Sequence, residues 1–305
     1  AVIQANKTGY LYVLDRVTGE PVWPVEEKPV PASTVPGEKA SPTQPVPTKP
    51  GPYARQGLTE DDLIDFTPEL RERALAVADS FVLGPLFTPP SLRSEEPGGK
   101  KGTLMSPGAW GAGNWNTGAF DPETGHYYAV AHDMPRVYGV KEADPDNPEA
   151  TMAYEVAWGP KRPTIDGLPI TKPPYGRITA YDLNTGEELW RAANGDGPRD
   201  HPLLRDLDLP PLGAANRPAA LVTRSLLFIG EGSDLIPGLD DYMWGETFRA
   251  YDKATGEVVW QTELPAGTTG GPMSYMHRGR QYIVVPVGGS EAPAEWVALS
   301  LPDGA

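Results

Sequence analysis

The sequence predicts an all-β protein carrying one inserted helix, and three observations support that fold class. The first is a repeat: residues 180–190, AYDLNTGEELW, and 250–260, AYDKATGEVVW, agree at seven of eleven positions across a 70-residue offset. Weaker copies stand at 13–23, VLDRVTGEPVW, and at 119–129, AFDPETGHYYA. The second is punctuation, because 34 glycines and 36 prolines in 305 residues break the chain into short segments. The third is that only residues 67–81 carry a clear helical pattern. A repeat on this scale sets the architecture before local propensity does.

Each copy has the same physical reading. Asp15, Asp121, Asp182 and Asp252 each precede a Thr-Gly pair three residues on, at 18–19, 124–125, 185–186 and 255–256. The apolar-aromatic start ends a strand, and the Asp caps backbone N–H groups two or three residues later. The Gly takes a positive φ where the chain reverses. Strand then resumes and ends in Trp23, Trp190 or Trp260, with Ala129 in the second copy. Identical aromatics at repeated hairpin corners imply identical packing of each unit against the next. Four antiparallel sheets stacked about an axis satisfy that requirement, which is a β-propeller.

The remaining elements follow in order. The opening AVIQANKTGYLYVLDR reads as strands already inside a sheet. Residues 26–57 are proline-rich and read as an extended, polyproline-like loop rather than a strand. The acidic TEDDLIDF at 59–66 leads into the helix of 67–81, with Thr67 as N-cap, Pro68 at the first helical position and Glu69 in the first turn. Leu70, Ala74, Val77 and Phe81 share its apolar face. The insertion spanning about 26–100 reads as a solvated decoration between sheets, with a lid over the propeller mouth as the alternative. Residues 136–176 and 232–245 are further excursions.

Composition narrows the function classes. Hydrophobic residues are 39% and aromatics 9%, enough for a sizeable core. A net charge of −15 repels phosphate backbones and argues against a nucleic-acid partner. No apolar run is long enough for a membrane-spanning helix, and no charged-then-apolar leader opens the sequence. The absence of cysteine excludes disulfides and thiolate metal sites. His126, His132, His201 and His277 have no i,i+4 or HExxH spacing, so a histidine zinc site is not expected. GDGPRD at 195–200 and DLDL at 206–209 lack the ligand spacing of an EF-hand, and no Lys-Ser/Thr follows GEGSD at 230–234 as a phosphate loop requires.

Ala-x-Asp-x-x-Thr-Gly-x-x-x-Trp resembles the tryptophan-docking motif of quinoprotein dehydrogenases, eight-bladed propellers that bind pyrroloquinoline quinone (PQQ). Further landmarks agree in order: NKTGYLYVLDRVTGEPVWPVEEKPVP at 6–31, LFTPPS at 86–91, SPGAWGAGNWNTGAFDP at 106–122, LPAGTTGGPMSY at 264–275 and GRQYIVVPVGG at 279–289. The resemblance, nearest to the sugar and polyol or membrane glucose dehydrogenase branch, places these landmarks in the C-terminal half of the family's chain. It implies that residues 1–305 form a partial propeller, about four blades of eight, belonging to a periplasmic enzyme that oxidises a sugar, polyol or alcohol. An open half would expose blade faces and unpaired strand edges, so it is expected to pair with a missing N-terminal half or with a second copy.

The site residues follow from the same resemblance. Lys7 in the Lys-Thr-Gly context reaches the quinone carbonyls, where a cation stabilises charge arriving with the hydride. Asn114 and Trp115 contact PQQ, and the turn Gly288-Gly289-Ser290 lines the substrate side. Membrane glucose dehydrogenases carry His after the Gly pair, so Ser290 argues against glucose. The family's catalytic Asp and its calcium ligands lie upstream of the stretch matching Lys7, so Ca²⁺ is expected only with the missing half. The alternative is a non-catalytic PQQ-like propeller, a scaffold or binding module, as in outer-membrane assembly lipoproteins. The blocks FTPPS, Asn114-Trp115 and GGPMSY favour the dehydrogenase lineage.

Overall fold

The computed structural model describes residues 1–114, 118–147, 149–158, 162–235 and 243–302. Antiparallel sheets dominate, as the repeat requires. Two are complete four-stranded meanders. One joins Gly118–Asp121, His126–His132, Gly176–Asp182 and Glu187–Ala193. The next joins Ala220–Val222, Leu226–Gly230, Thr247–Asp252 and Val258–Glu263. They are preceded by the hairpin Val2–Ala5/Leu11–Leu14, extended by a bridge from Leu14 to Pro21, and followed by the three-stranded sheet of Met273–His277, Arg280–Val287 and Glu295–Leu299.

The repeated corners have the chemistry their sequence demands. Asp15 Oδ1 accepts from the N–H of Val17 (2.8 Å) and Thr18 (2.9 Å), and Asp252 Oδ1 from Ala254 (2.8 Å) and Thr255 (3.2 Å). Asp121 and Asp182 accept from the N–H groups of Glu123 (3.0 Å) and Asn184 (2.8 Å). The glycines that close the turns have φ of 79°, 77°, 76° and 76° in chain order. One copy per sheet does not hold, however: the second and third copies are neighbouring turns at the same end of one sheet, with His126 paired to Asp182. The second copy runs into a central strand, which is why Ala129 occupies the place of Trp.

The tryptophans join neighbouring sheets. Trp190 Nε1 donates to Lys253 O at 3.0 Å, and a Cβ on Gly256 would lie 2.6 Å from Trp190 Cε3. The preceding pair repeats the arrangement, since a Cβ on Gly186 would lie 3.1 Å from Trp23 Cε2. Between the two complete sheets lies a core of Tyr128, Val130, Ile178, Leu227, Ile229 and Tyr251. The next interface packs Phe228 and Phe248 against Leu264, Val285 and Val287.

The insertions are built differently from their sequence reading. Residues 26–57 are not loop throughout: Val25–Pro29 pairs with Thr43–Pro47 as an exposed ribbon. Pro45 and Pro47 stand two apart, so both turn their missing N–H toward the same side, which a two-stranded ribbon tolerates. The helix spans Pro68–Ala78, with Thr67 Oγ1 accepting from Leu70 N at 3.2 Å. It is not a solvated decoration. Leu70, Ala74 and Phe81 join Leu58, Leu63, Ile64, Leu104, Leu168, Tyr175 and Leu204 in a large buried cluster. The 136–176 excursion supplies strands Arg136–Glu142 and Tyr154–Trp158 to a sheet shared with Ser91–Leu92 and Thr103–Met105. Part of the third excursion, residues 236–242, lies outside the described residues.

Candidate functional site

A cleft of about 330 Å³ opens where the loop after Gly108 meets the two sheets that end the chain. Asn114, Asn216, Arg217, Ser233, Thr268 and Gly270 line it. Lys7, more than a hundred residues from the nearest of these in sequence, is held against the same loop. Its turn is set by Asn6 Oδ1, which accepts from Thr8 N at 3.1 Å, and by Gly9 N donating to Asn6 O at 3.1 Å. The Lys7 carbonyl accepts from Ala112 N at 3.0 Å, and its Nζ donates to Ala109 O at 3.3 Å. Gly111 makes this close approach possible: its φ is +83°, and a Cβ there would lie 2.5 Å from Lys7 Cβ. Lys7 is exposed and Asn114 half-buried. Trp115 lies outside the described residues.

The glycine turn joins the cleft from the other side. Ser233 Oγ donates to Gly288 O at 2.6 Å, and Gly288 N to Gly267 O at 3.0 Å. Ser290 N donates to Asp234 Oδ1 at 2.9 Å, and the Ser290 hydroxyl bonds the other carboxylate oxygen. These two bonds hold the Asp234 carboxyl below its usual range. Gly289 is tight as well, since a Cβ would lie 2.8 Å from Asp234 Oδ1. The structure thus holds Lys7 against the loop that leads to Asn114, and ties the 288–290 turn to Ser233 on the cleft that Asn114 lines.

Several residues of this neighbourhood escaped the sequence reading. Asn216 Nδ2 donates to Ser233 O at 2.9 Å and its Oδ1 accepts from Arg217 N at 2.8 Å. Arg217 Nη1 donates to Trp110 O at 3.1 Å, and the Arg136 guanidinium sits 3.8 Å from the centre of the Trp110 ring. His132 is 2% exposed, and both its ring nitrogens lack a hydrogen-bond partner among the described residues. Burial, then the charges of Arg217, Arg136 and Arg162, push its pKa down to about 3, so the imidazole is neutral. The one signal available beforehand was a polar His ending the apolar run YYAVAH; nothing in the sequence aimed three arginines at it.

Comparison with known proteins identifies the fold's lineage. Residues 1–283 match the PQQ glucose/ethanol/alcohol dehydrogenase β-propeller domain. The chain belongs to this family of PQQ-dependent dehydrogenase propellers. It is 31% identical to the glycerol dehydrogenase large subunit of Gluconobacter thailandicus over 99% of its own length and 43% of the relative's. It is 30% identical to the quinate/shikimate dehydrogenase (quinone) of Acinetobacter baylyi, over 95% and 36%. The quinohemoprotein alcohol dehydrogenase structure from Comamonas testosteroni aligns with a TM-score of 0.49 at 19% identity, over 98% of this chain and 35% of that one. The chain therefore spans well under half the length of these proteins.

Proposed function

We propose that this chain forms one side of the quinone and substrate site of a PQQ-dependent dehydrogenase that oxidises a sugar, polyol or alcohol. The observation that carries the reading is that Lys7 is held against the loop leading to Asn114, which lines the cleft, while Ser233 of the same cleft holds the Gly288–Ser290 turn. PQQ fits these residues: the Lys7 ammonium is exposed beside a glycine cradle, and its Nζ donates to a backbone carbonyl. When bound, PQQ accepts the hydride equivalent released as the substrate alcohol becomes a carbonyl. Lys7 then supplies positive charge where a quinone oxygen gains negative charge. Asn114 offers a donor and an acceptor to orient the ring, and Trp115 adds a flat face. The turn pinned by Asp234 borders the substrate.

In this reading residues 1–305 are a partial propeller with the insertion at about 26–100, and the Trp23–Gly186 and Trp190–Gly256 contacts are tryptophan docking. The general base and Ca²⁺ ligands belong to an upstream part of a longer, periplasmic protein. Among the described residues no group of three or more His, Asp or Glu is placed to hold a metal. No helix of the described residues is long and apolar enough to cross a membrane. The test is dye-linked polyol oxidation by the longer protein reconstituted with PQQ and Ca²⁺. Lys7→Met is expected to lower kcat by about 10²–10³-fold, the size of one lost oxyanion donor, without changing Tm. An unchanged kcat removes Lys7 from the chemistry.

A further inference from the structure

The turn that carries Lys7 is gripped by a strap, residues 53–56, that the quinone reading leaves unused. Tyr53 Oη donates to Asn6 O at 2.5 Å, Gln56 Nε2 to Thr8 O at 2.7 Å and Tyr53 N to Gly9 O at 2.8 Å. The remaining carbonyl, that of Lys7 itself, accepts from Ala112 N. The approach is as close as on the Gly111 side: Gly9 has a φ of +82°, and a Cβ there would lie 2.8 Å from Ala54 Cβ. The strap is itself anchored. Tyr53 is fully buried, its ring in a cluster with Tyr127 and Tyr181. Arg55 pairs with Asp62 and, at 3.7 Å, with the buried Asp133, and it donates to Lys172 O at 2.7 Å. Gly57 N donates to Ser106 O at 2.7 Å, at the start of the loop that carries Ala109 and Ala112. The two segments that hold Lys7 are therefore tied to each other.

An exposed turn ordinarily leaves its carbonyls to water, and here protein donors from outside the turn take all four of residues 6–9. Lysine is a compact charge on a flexible four-carbon stem, so a precise ammonium position has to be built into its backbone and its resting contact. Stabilisation of charge that develops on a quinone oxygen needs a donor fixed before the reaction, and a misplacement of about 1 Å can cost about 10²-fold in rate. We propose that Tyr53 and Gln56 are positioning residues for Lys7, fixing the turn from which its ammonium serves the quinone. The proposal rests on the reading of Lys7 above and adds the residues through which the fold aims it.

The test uses the longer protein, with Tyr53→Phe and Gln56→Met made in the wild type and in Lys7→Met, and Tm as the check on folding. Tyr53→Phe keeps the buried ring and deletes one donor; Gln56→Met keeps the length of the side chain and deletes the other. Each is expected to lower kcat about tenfold in the wild type with the substrate KM unchanged. Each should also weaken PQQ several-fold in a fluorescence titration without substrate. In Lys7→Met neither should lower kcat or PQQ affinity further, because the group they aim is gone. If Tyr53→Phe fails to fold, Gln56→Met decides alone. Equal losses in the two backgrounds, a change confined to Tm or KM, or an unchanged kcat in the wild type overturns the proposal while the quinone reading stands. If Lys7→Met itself leaves kcat unchanged, the quinone reading of Lys7 fails and the proposal falls with it.

Discussion

Lys253 and His132 show two ways of burying an ionisable group. Lys253 Nζ donates to Asp121 Oδ2 at 2.5 Å across the two complete sheets, with side chains 11% and 5% exposed. Burial pushes the Asp121 carboxyl up, but the bonds from Lys253, Thr124 and Glu123 outweigh it and hold the pKa at about 2. Its stabilisation is therefore present above the ordinary carboxylate range and lost as pH falls toward 2. Lys253→Met strands the carboxylate and is expected to cost about 3–5 kcal/mol, read by urea unfolding at pH 7. His132 works in the opposite sense. Its folded pKa of about 3 lies below the ordinary 6.5, so between these values the unfolded chain binds the extra proton. Stability should thus rise with pH from 3 to 6.5, by at most about 1.4 kcal/mol per unit from this residue. His132→Asn should flatten the slope between pH 5 and 6.5, above the range in which Asp121 contributes; an unaltered slope shows that the imidazole is not buried neutral.

The Asp-x-x-Thr-Gly corner offers a comparison within one chain at the level of the element. Gly19 and Gly256 have nearly the same φ, +79° and +76°, but nothing lies within 4 Å of a Cβ on Gly19, while Trp190 covers Gly256. Gly19→Ala should cost about 1 kcal/mol for the left-handed backbone alone. Gly256→Ala should cost about 1–3 kcal/mol more, because the added methyl meets an indole that cannot withdraw without losing its bond to Lys253 O. Equal losses in thermal unfolding would mean that the tryptophan does not clamp the corner. These corners were legible because turn chemistry is local: Asp, Thr, Gly and the spacing to Trp state the hairpin by themselves. The N-cap at Thr67 was legible for the same reason. The sharing of one sheet by two copies was not, because strand pairing between His126–His132 and Gly176–Asp182 spans an excursion that carries no register signal. Nor was burial of the insertion, whose Leu58, Leu70 and Phe81 find partners near Leu168 and Leu204. The site divides along the same line. Lys7 and Asn114 sit in recognisable motifs, whereas Tyr53 and Gln56 acquire meaning only when the fold carries the insertion back to the Lys7 turn.

At the scale of the whole molecule, the tryptophan rule that joins the sheets stops short, because the sheet that follows Trp260, from Met273 to Leu299, carries no Asp-x-x-Thr-Gly corner to receive it. Trp23 covers Gly186 and Trp190 covers Gly256, but Trp260 is 44% exposed, with Val258 and Val259 exposed beside it. At the other end Gly19 is uncovered and Val17 is 87% exposed. The two surfaces are complementary by the chain's own precedent, an indole on one and a bare Asp-x-x-Thr-Gly corner on the other. Unpaired edges and apolar faces of this kind drive association. A protein consisting of these residues alone is therefore expected to associate head-to-tail with a second copy, Trp260 of one over Gly19 of the next. Sedimentation velocity across a concentration series reads the assembly, and Trp260→Ala should shift it toward monomer at a given concentration. If a further sheet of a longer protein occupies the same place, Trp260→Ala there should lower Tm and leave the oligomeric state alone. A monodisperse monomer at high concentration, with Trp260→Ala without effect, would show that these sheets stand without the contact that the first two tryptophans make.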